Sequence, residues 1–258
     1  MPVQSSFSQS GLTSKKRQTV WLLILLVLAV ASLLLSCTTG SVGLSVAELS
    51  GALIELISGH SESLAATLLS MRMERAFAAF ITGGSLALAG CMMQALLRNP
   101  LADPYVLGVS GGASVGALSM LFVSASLMMV NVVAFAGAMV VALVLYMLSR
   151  RDFTVADGSS RLLLTGVILA FGCSAIVTLL LVAADNDLRG MVFWLVGDLA
   201  GATVTVWSVA IMSAVFVFAW LAARSVNLLA LHADMAVTLG VNVASLKKSL
   251  FIGGALLT

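Results

Sequence analysis

Few side chains in this sequence are able to do chemistry, and their spacing removes most of the chemistries they would permit. Gly108-Val109-Ser110-Gly111-Gly112 fits the G-x-S-x-G spacing that raises a nucleophilic serine on a tight turn. That device needs a strand before the serine and a histidine within its reach. The only histidines, His60 and His232, fall in an outer and an inner loop, so Ser110 is not expected to be catalytic. Cys37, Cys91 and Cys173 form neither a CxxC nor a Cys/His spacing, so no metal and no cofactor is expected. No G-x-x-x-x-G-K-[ST] occurs, which removes nucleotide hydrolysis through a phosphate loop. Asp103 and Asp198 lie near the ends of apolar runs, where they make poor ion-coupling groups.

What remains are polar and helix-breaking residues whose position carries the meaning. Arg72 and Arg75 are three apart and share a helix face. Pro100 and Pro104, four apart, each remove a backbone donor and restrict the residue before them, which forces an irregular connection. Gln94 and Asn99 are placed to satisfy the backbone groups so released, making a structural hinge rather than a ligand for substrate. Ser159 and Ser160 stand ahead of an apolar run, where small polar residues suit either a helix cap or a constriction. Ala236, Leu239 and Gly240 end a short helical pattern, with Gly240 as its C-cap.

These residues sit in a chain that is 60% hydrophobic and 9% charged. Soluble domains run near about 45–50% and about 25%. With a mean hydropathy of +1.12 the chain has too little polar surface to cover a core, so it must lie in lipid. There, backbone groups freed by proline need partners from protein or from a water-lined cavity. The net charge of +2 is small and the basic residues are dispersed, so no nucleic acid is expected as a partner.

Residues 1–18, rich in Ser and Gln at their start, read as a disordered tail, and residues 19–258 as one transmembrane domain. The first span runs from Thr19 to Ser36, with Lys15, Lys16 and Arg17 holding its N-terminal end in the cytoplasm. That run ends at Leu-Leu-Ser-Cys37, a lipoprotein-like signal, but an uncleaved first helix fits the all-membrane chain that follows better. Residues 37–71 contain no Lys or Arg and read as external; Glu48, Glu55 and Glu62, spaced by seven, mark a short amphipathic helix. Further spans are expected over Ala76–Leu97, twice within Tyr105–Arg150 with a turn near Ser124–Asn131, over Leu162–Ala184, and over Val204–Ala223. Asp185, Asn186, Asp187 and Arg189 form an outer loop, and the run from Met191 a short helix. Ser225–Lys248 forms an inner stretch, including Lys247 and Lys248, before an apolar run from Leu250 to Thr258. This arrangement places ten basic residues inside and leaves Arg72, Arg75 and Arg189 outside. Gly83, Gly84 and Gly90 in the second span, and Gly108, Gly112 and Gly116 in the third, are expected to let helices approach closely.

Arg72-Met-Glu-Arg75, Gln94-Ala-Leu-Leu-Arg98-Asn99-Pro100-Leu101-Ala102-Asp103-Pro104 and Leu107-Gly108 with Gly111-Gly112-Ala113 resemble the FecCD/BtuC family of ABC importer permeases. Ser160-Arg161-Leu162-Leu163-Leu164 with Gly166, Phe193-Trp194 with Gly197, and Ala236 with Leu239-Gly240 continue the likeness in order. The resemblance implies an all-α polytopic membrane protein of BtuC-like permease fold in the bacterial inner membrane. It has six complete spans and the start of a seventh, where the family continues to ten, as in a fragment or a truncated product. It implies an importer for iron-siderophore complexes, with cobalamin or haem as alternatives, or a truncated protein that does not transport. The implied partners are ABC ATPase subunits, a periplasmic substrate-binding protein, a second permease subunit (a homodimer or a paralogue) and membrane lipid. The resemblance assigns Arg72 and Arg75 to binding-protein docking, Ser159 and Ser160 to a gate, and Ala236, Leu239 and Gly240 to ATPase coupling. Glu74 departs from the family's usual proline, and His232 to Asp234 from its usual glycine and acid.

Overall fold

The computed structural model describes residues 4–258 apart from 41, 60–62, 155–158, 185–187, 200, 201, 203 and 232. His60, Glu62, Asp185, Asn186, Asp187 and His232 therefore lie outside the described residues. Every regular element among those described is helical. The chain divides into two compact units, residues 1–79 with 200–203, and residues 80–199 with 204–258.

In the first unit α1 spans Gln4–Thr38. The segment 4–18, expected to be disordered, is helical: no proline lies within α1, and the polar residues continue the ladder of the apolar run. Val46–Ile57 forms α2, the expected short helix, opened by a capping box in which Ser45 accepts from the Glu48 amide and Glu48 accepts from Ser45. The helix α3, Leu64–Leu97, begins in this unit and ends in the second. Its start corrects the expected external loop. Ser63 caps the helix through an Oγ contact to the Ala66 amide, Glu55 accepts from the Ser63 hydroxyl at 2.7 Å, and no Gly or Pro interrupts before Gly83. At 34 residues α3 is about 51 Å long, well beyond the roughly 30 Å of bilayer hydrocarbon. Ala52, Ala66 and Leu69 make a small buried cluster between α2 and α3.

The second unit holds the rest. A 3-10 turn, Pro104–Leu107, leads to α4, Val109–Phe122. The third span was expected to be full length, but α4 has 14 residues, about 21 Å, because the 3-10 turn and Gly108 use its first part. Ser124, at φ 52, then ends it: the Ala125 amide reaches the Met120 carbonyl and the Ser124 amide the Leu121 carbonyl. Leu127–Ser149 forms α5, Ser159–Ala183 α6, and Leu188–Val196 the short helix α7, closed by Gly197 at φ 80. Val206–Leu231 is α8, Ala233–Thr238 is α9 and Val243–Leu257 is α10.

Two boundaries correct the expectation here. Leu228, Leu229 and Leu231 belong to α8, not to a separate inner helix, because nothing breaks the helix at Arg224 and Leu229 is fully buried. Lys247 and Lys248 lie within α10, which Asn242 caps by accepting from the Ser245 amide, and Lys247 is 1% exposed. Five described helices are long and apolar enough to cross a membrane, and Val109–Phe122 is a shorter apolar one. They make this a multi-pass membrane protein.

Close glycine approaches occur where α4 meets α5. A Cβ on Gly112 would stand 2.5 Å from the Gly137 carbonyl oxygen, and one on Gly116 would meet that of Val133. The α3 glycines differ: a Cβ on Gly83 meets nothing within 4 Å.

Candidate functional site

The junction between α3 and α4 interrupts the helices with a fully specified irregular turn. Leu97 is the last helical residue and Arg98 takes φ 49, the left-handed conformation usually left to glycine. The Asn99 amide reaches back to the Gln94 carbonyl at 3.1 Å, the six-to-one bond that closes such a helix end. The Gln94 side-chain amide donates to the Pro100 carbonyl at 3.1 Å, and Asn99 Oδ1 accepts from the Leu101 amide at 2.9 Å. Asp103 Oδ1 accepts from the Tyr105 amide at 2.7 Å, which starts the 3-10 turn with Pro104 in its first position. Gly108, at φ 77, then turns the chain into α4. Leu101 projects at 86% exposure while Ala102 and Leu107 are buried.

Ser159 meets this junction and Ser160 does not. The Ser159 hydroxyl donates to the Leu96 carbonyl at 3.3 Å in a buried position, while Ser160 is exposed on the other side of the first turn of α6. Gly166 and Leu107 hold the same elements together further along, since a Cβ on Gly166 would lie 2.9 Å from Leu107 Cα.

Later in the same unit, α9 closes with both bonds of a Schellman motif. The Val241 amide reaches the Ala236 carbonyl at 2.9 Å and the Gly240 amide the Val237 carbonyl at 3.0 Å, with Gly240 at φ 82. Ala236 is buried, and Leu239 stands 64% exposed beside Gly240. Leu239, Gly240 and Asn242 line a cleft of about 710 Å³ shared with Arg224, Ser225 and Ser245.

In the first unit Arg72 and Arg75 line one cleft of about 250 Å³ with Ser36, Thr39 and Gly40. Their side chains do different things. Arg72 Nη1 donates to the carbonyls of Cys37 at 3.2 Å and Thr38 at 3.4 Å, and Nη2 donates to that of Val42, so its charge answers the exposed C-terminal carbonyls of α1. Arg75 is exposed.

Sequence reasoning missed the aromatic group beyond α5. Phe153, 1% exposed, lies 5.5 Å from the Tyr146 ring and 5.4 Å from that of Phe251, and Lys248 Nζ sits 5.9 Å above the Tyr146 ring. The spacing from Tyr146 to Arg150 on one helical stripe was the available signal.

Five described helices long and apolar enough to cross a membrane, with a proline-broken junction between α3 and α4, define a multi-pass membrane protein. The model of the FecCD transport family matches residues 22–258, and the chain belongs to that family. It is an ABC importer permease. The vitamin B12 import system permease protein BtuC of Escherichia coli strain UMN026 is 34% identical over 236 residues, covering 88% of this chain and 67% of that protein. The BtuC protein of Shigella boydii is 33% identical over the same shares. A structure solved as an inward-facing conformation of a metal-chelate type ABC transporter superposes with a TM-score of 0.74 at 26% identity. The match covers 93% of this chain and 74% of that one.

Proposed function

We propose that the chain forms part of the pathway by which an inner-membrane ABC importer carries a metal chelate, with its N-terminus in the cytoplasm. The observation that carries this reading is the self-satisfied break from Gln94 to Gly108. Its backbone groups are answered by Gln94, Asn99 and Asp103, so it holds an irregular shape through its own side chains. Gln94, Asn99, Pro100 and Pro104 make a hinge beside the pathway, and Ser160, free of the bond that occupies Ser159, faces the gate.

Arg75 offers its charge to a periplasmic substrate-binding protein, and Arg72 braces the helix end beside it. Ala236, Leu239 and Gly240 receive an ATPase subunit, and a second permease subunit completes the pathway. Between the two chelates at issue, the named relatives favour vitamin B12 over the iron-siderophore complex that the motifs imply. The test is uptake by cells that produce this permease with its ATPase and binding protein and lack their own importers. Labelled cyanocobalamin entering, and a ferric siderophore not, supports the first; the reverse result moves the assignment to iron, and entry of neither overturns the chelate reading.

A further inference from the structure

The helices α5 and α10 run side by side with a groove of about 400 Å³ between them, within the range of about 300–1,000 Å³ usual for small-molecule sites. Ala142 and Ala255, both small and buried, form its floor. Leu143 at 57% exposure and Ile252 at 55% stand as its rims, so the groove opens sideways. Along α5 the lining residues Met139, Leu143 and Tyr146 keep one helical stripe, and the next position on that stripe is Arg150. On α10 the stripe through Ile252 begins one turn earlier at Lys248, whose Nζ lies over the Tyr146 ring. The α5 stripe therefore leads to the exposed Arg150, with the exposed Arg151 next in sequence, and the half-buried Lys248 stands over the Tyr146 ring at the same end. Asp152, half-buried, is the only acid in residues 127–154, and α10 carries none.

We propose that this groove binds an anionic phospholipid, with an acyl chain against Ala142 and Ala255 and the phosphate held by Lys248, Arg150 and Arg151. An apolar channel alone would take a helix as readily as a lipid tail. The cations favour lipid, because a headgroup phosphate brings negative charge to the end of an apolar chain at the depth where the helices leave the hydrocarbon. Tyr146 marks that depth, an aromatic ring lining the groove beneath the Lys248 ammonium. The inference rests on the membrane reading of the chain and is independent of which chelate is carried.

The test uses the full chain, assembled with its partner subunits, in phosphatidylcholine nanodiscs containing a trace of acyl-chain nitroxide-labelled phosphatidylglycerol or phosphatidylcholine. The motionally restricted spectral component is expected to favour phosphatidylglycerol several-fold. The combined variant Lys248→Gln, Arg150→Gln and Arg151→Gln should bring the two lipids to parity while leaving restricted phosphatidylcholine unchanged. Leu143→Trp, at an exposed rim that tolerates the larger ring, should reduce the restricted component for both lipids. Persistence of phosphatidylglycerol selectivity in the triple variant overturns the proposal. So does a photo-crosslinker at Leu143 that captures a protein segment and no labelled lipid.

Discussion

Ser159 and Leu96 are joined by a buried hydrogen bond, hydroxyl to carbonyl at 3.3 Å, so the first residue of α6 closes over the last turn of α3. A helix leaves its final carbonyls without partners, and this one is answered from a different helix. Ser159→Ala should leave the Leu96 carbonyl buried and unpaired, at a cost of about 1–3 kcal/mol. Ser160→Ala, on the exposed side, should cost nothing measurable. Thermal unfolding of the two variants in detergent checks this; equal stability would show that Ser159 does not tie the helices.

The α4 and α5 backbones touch at Gly112, where a new Cβ would stand 2.5 Å from the Gly137 carbonyl oxygen. Relief requires moving backbone, so Gly112→Ala should destabilise by about 1–3 kcal/mol, the usual cost of overpacking. Gly83→Ala introduces a Cβ with nothing within 4 Å and removes a residue unfavourable in helices, so it should be neutral or slightly stabilising. Melting temperatures of the purified variants should separate in that order.

How far the fold was legible follows from these positions. The G-x-x-x-G spacing in the third span identified a close helix contact because α4 has a partner with its own glycine, Gly137, at the crossing. The same logic failed for Gly83, since small residues permit an approach without supplying the partner. The break at Asn99–Pro104 was readable because proline acts locally, and Gln94 and Asn99 could be named as its satisfiers from side-chain chemistry alone. Arg98 in a left-handed conformation, the extension of α8 to Leu231 and the early start of α3 were not readable. Those depend on which tertiary contacts outweigh local propensity. The charge of Arg72 was visible, but its use on the carbonyls of Cys37, Thr38 and Val42 required the fold.

The Glu48 carboxylate accepts from the Ser45 amide and hydroxyl, each at 2.7 Å, and these bonds hold its pKa below the ordinary 4.5. A group with a lowered folded pKa contributes its stabilisation in full above the ordinary value and loses it as pH falls through the lowered one. The first turn of α2 should therefore hold its amides against hydrogen exchange at neutral pH and loosen below about 4.5. Glu48→Gln should remove that pH dependence. Exchange at Leu49, whose amide bonds to the Ser45 carbonyl, is the reporter, and an identical pH profile in the variant would contradict the assignment.

Arg72 and Arg75 should separate in their effects although they share a cleft. Arg72→Ala removes the donors to three carbonyls at and beyond the end of α1, so it should lower stability and raise protease sensitivity around residues 38–42. Arg75→Glu should leave stability unchanged and weaken capture of the binding protein by about tenfold or more at low salt, with the difference shrinking as salt rises. Binding measured at two ionic strengths checks this. Unchanged capture by Arg75→Glu would remove the docking role.

Gly240 offers the sharpest separation of shape from stability. Its φ of 82 is the conformation that a Schellman closure requires, and both bonds of that closure, Val241 to Ala236 and Gly240 to Val237, depend on it. A Cβ added here meets nothing within 4 Å, so the cost of substitution comes from backbone conformation alone. Asparagine tolerates the left-handed region and valine does not. Gly240→Asn should therefore retain the turn, and Gly240→Val should open it at a cost of about 1–2 kcal/mol, too little to prevent insertion of a protein held by its spans. If this turn receives the ATPase, the assembled transporter with Gly240→Val should hydrolyse ATP at a near-normal rate while uptake falls at least tenfold, and Gly240→Asn should transport normally. Normal uptake in Gly240→Val would place the coupling contact elsewhere, and equal losses in both variants would show that the glycine is needed for close approach and not for its turn.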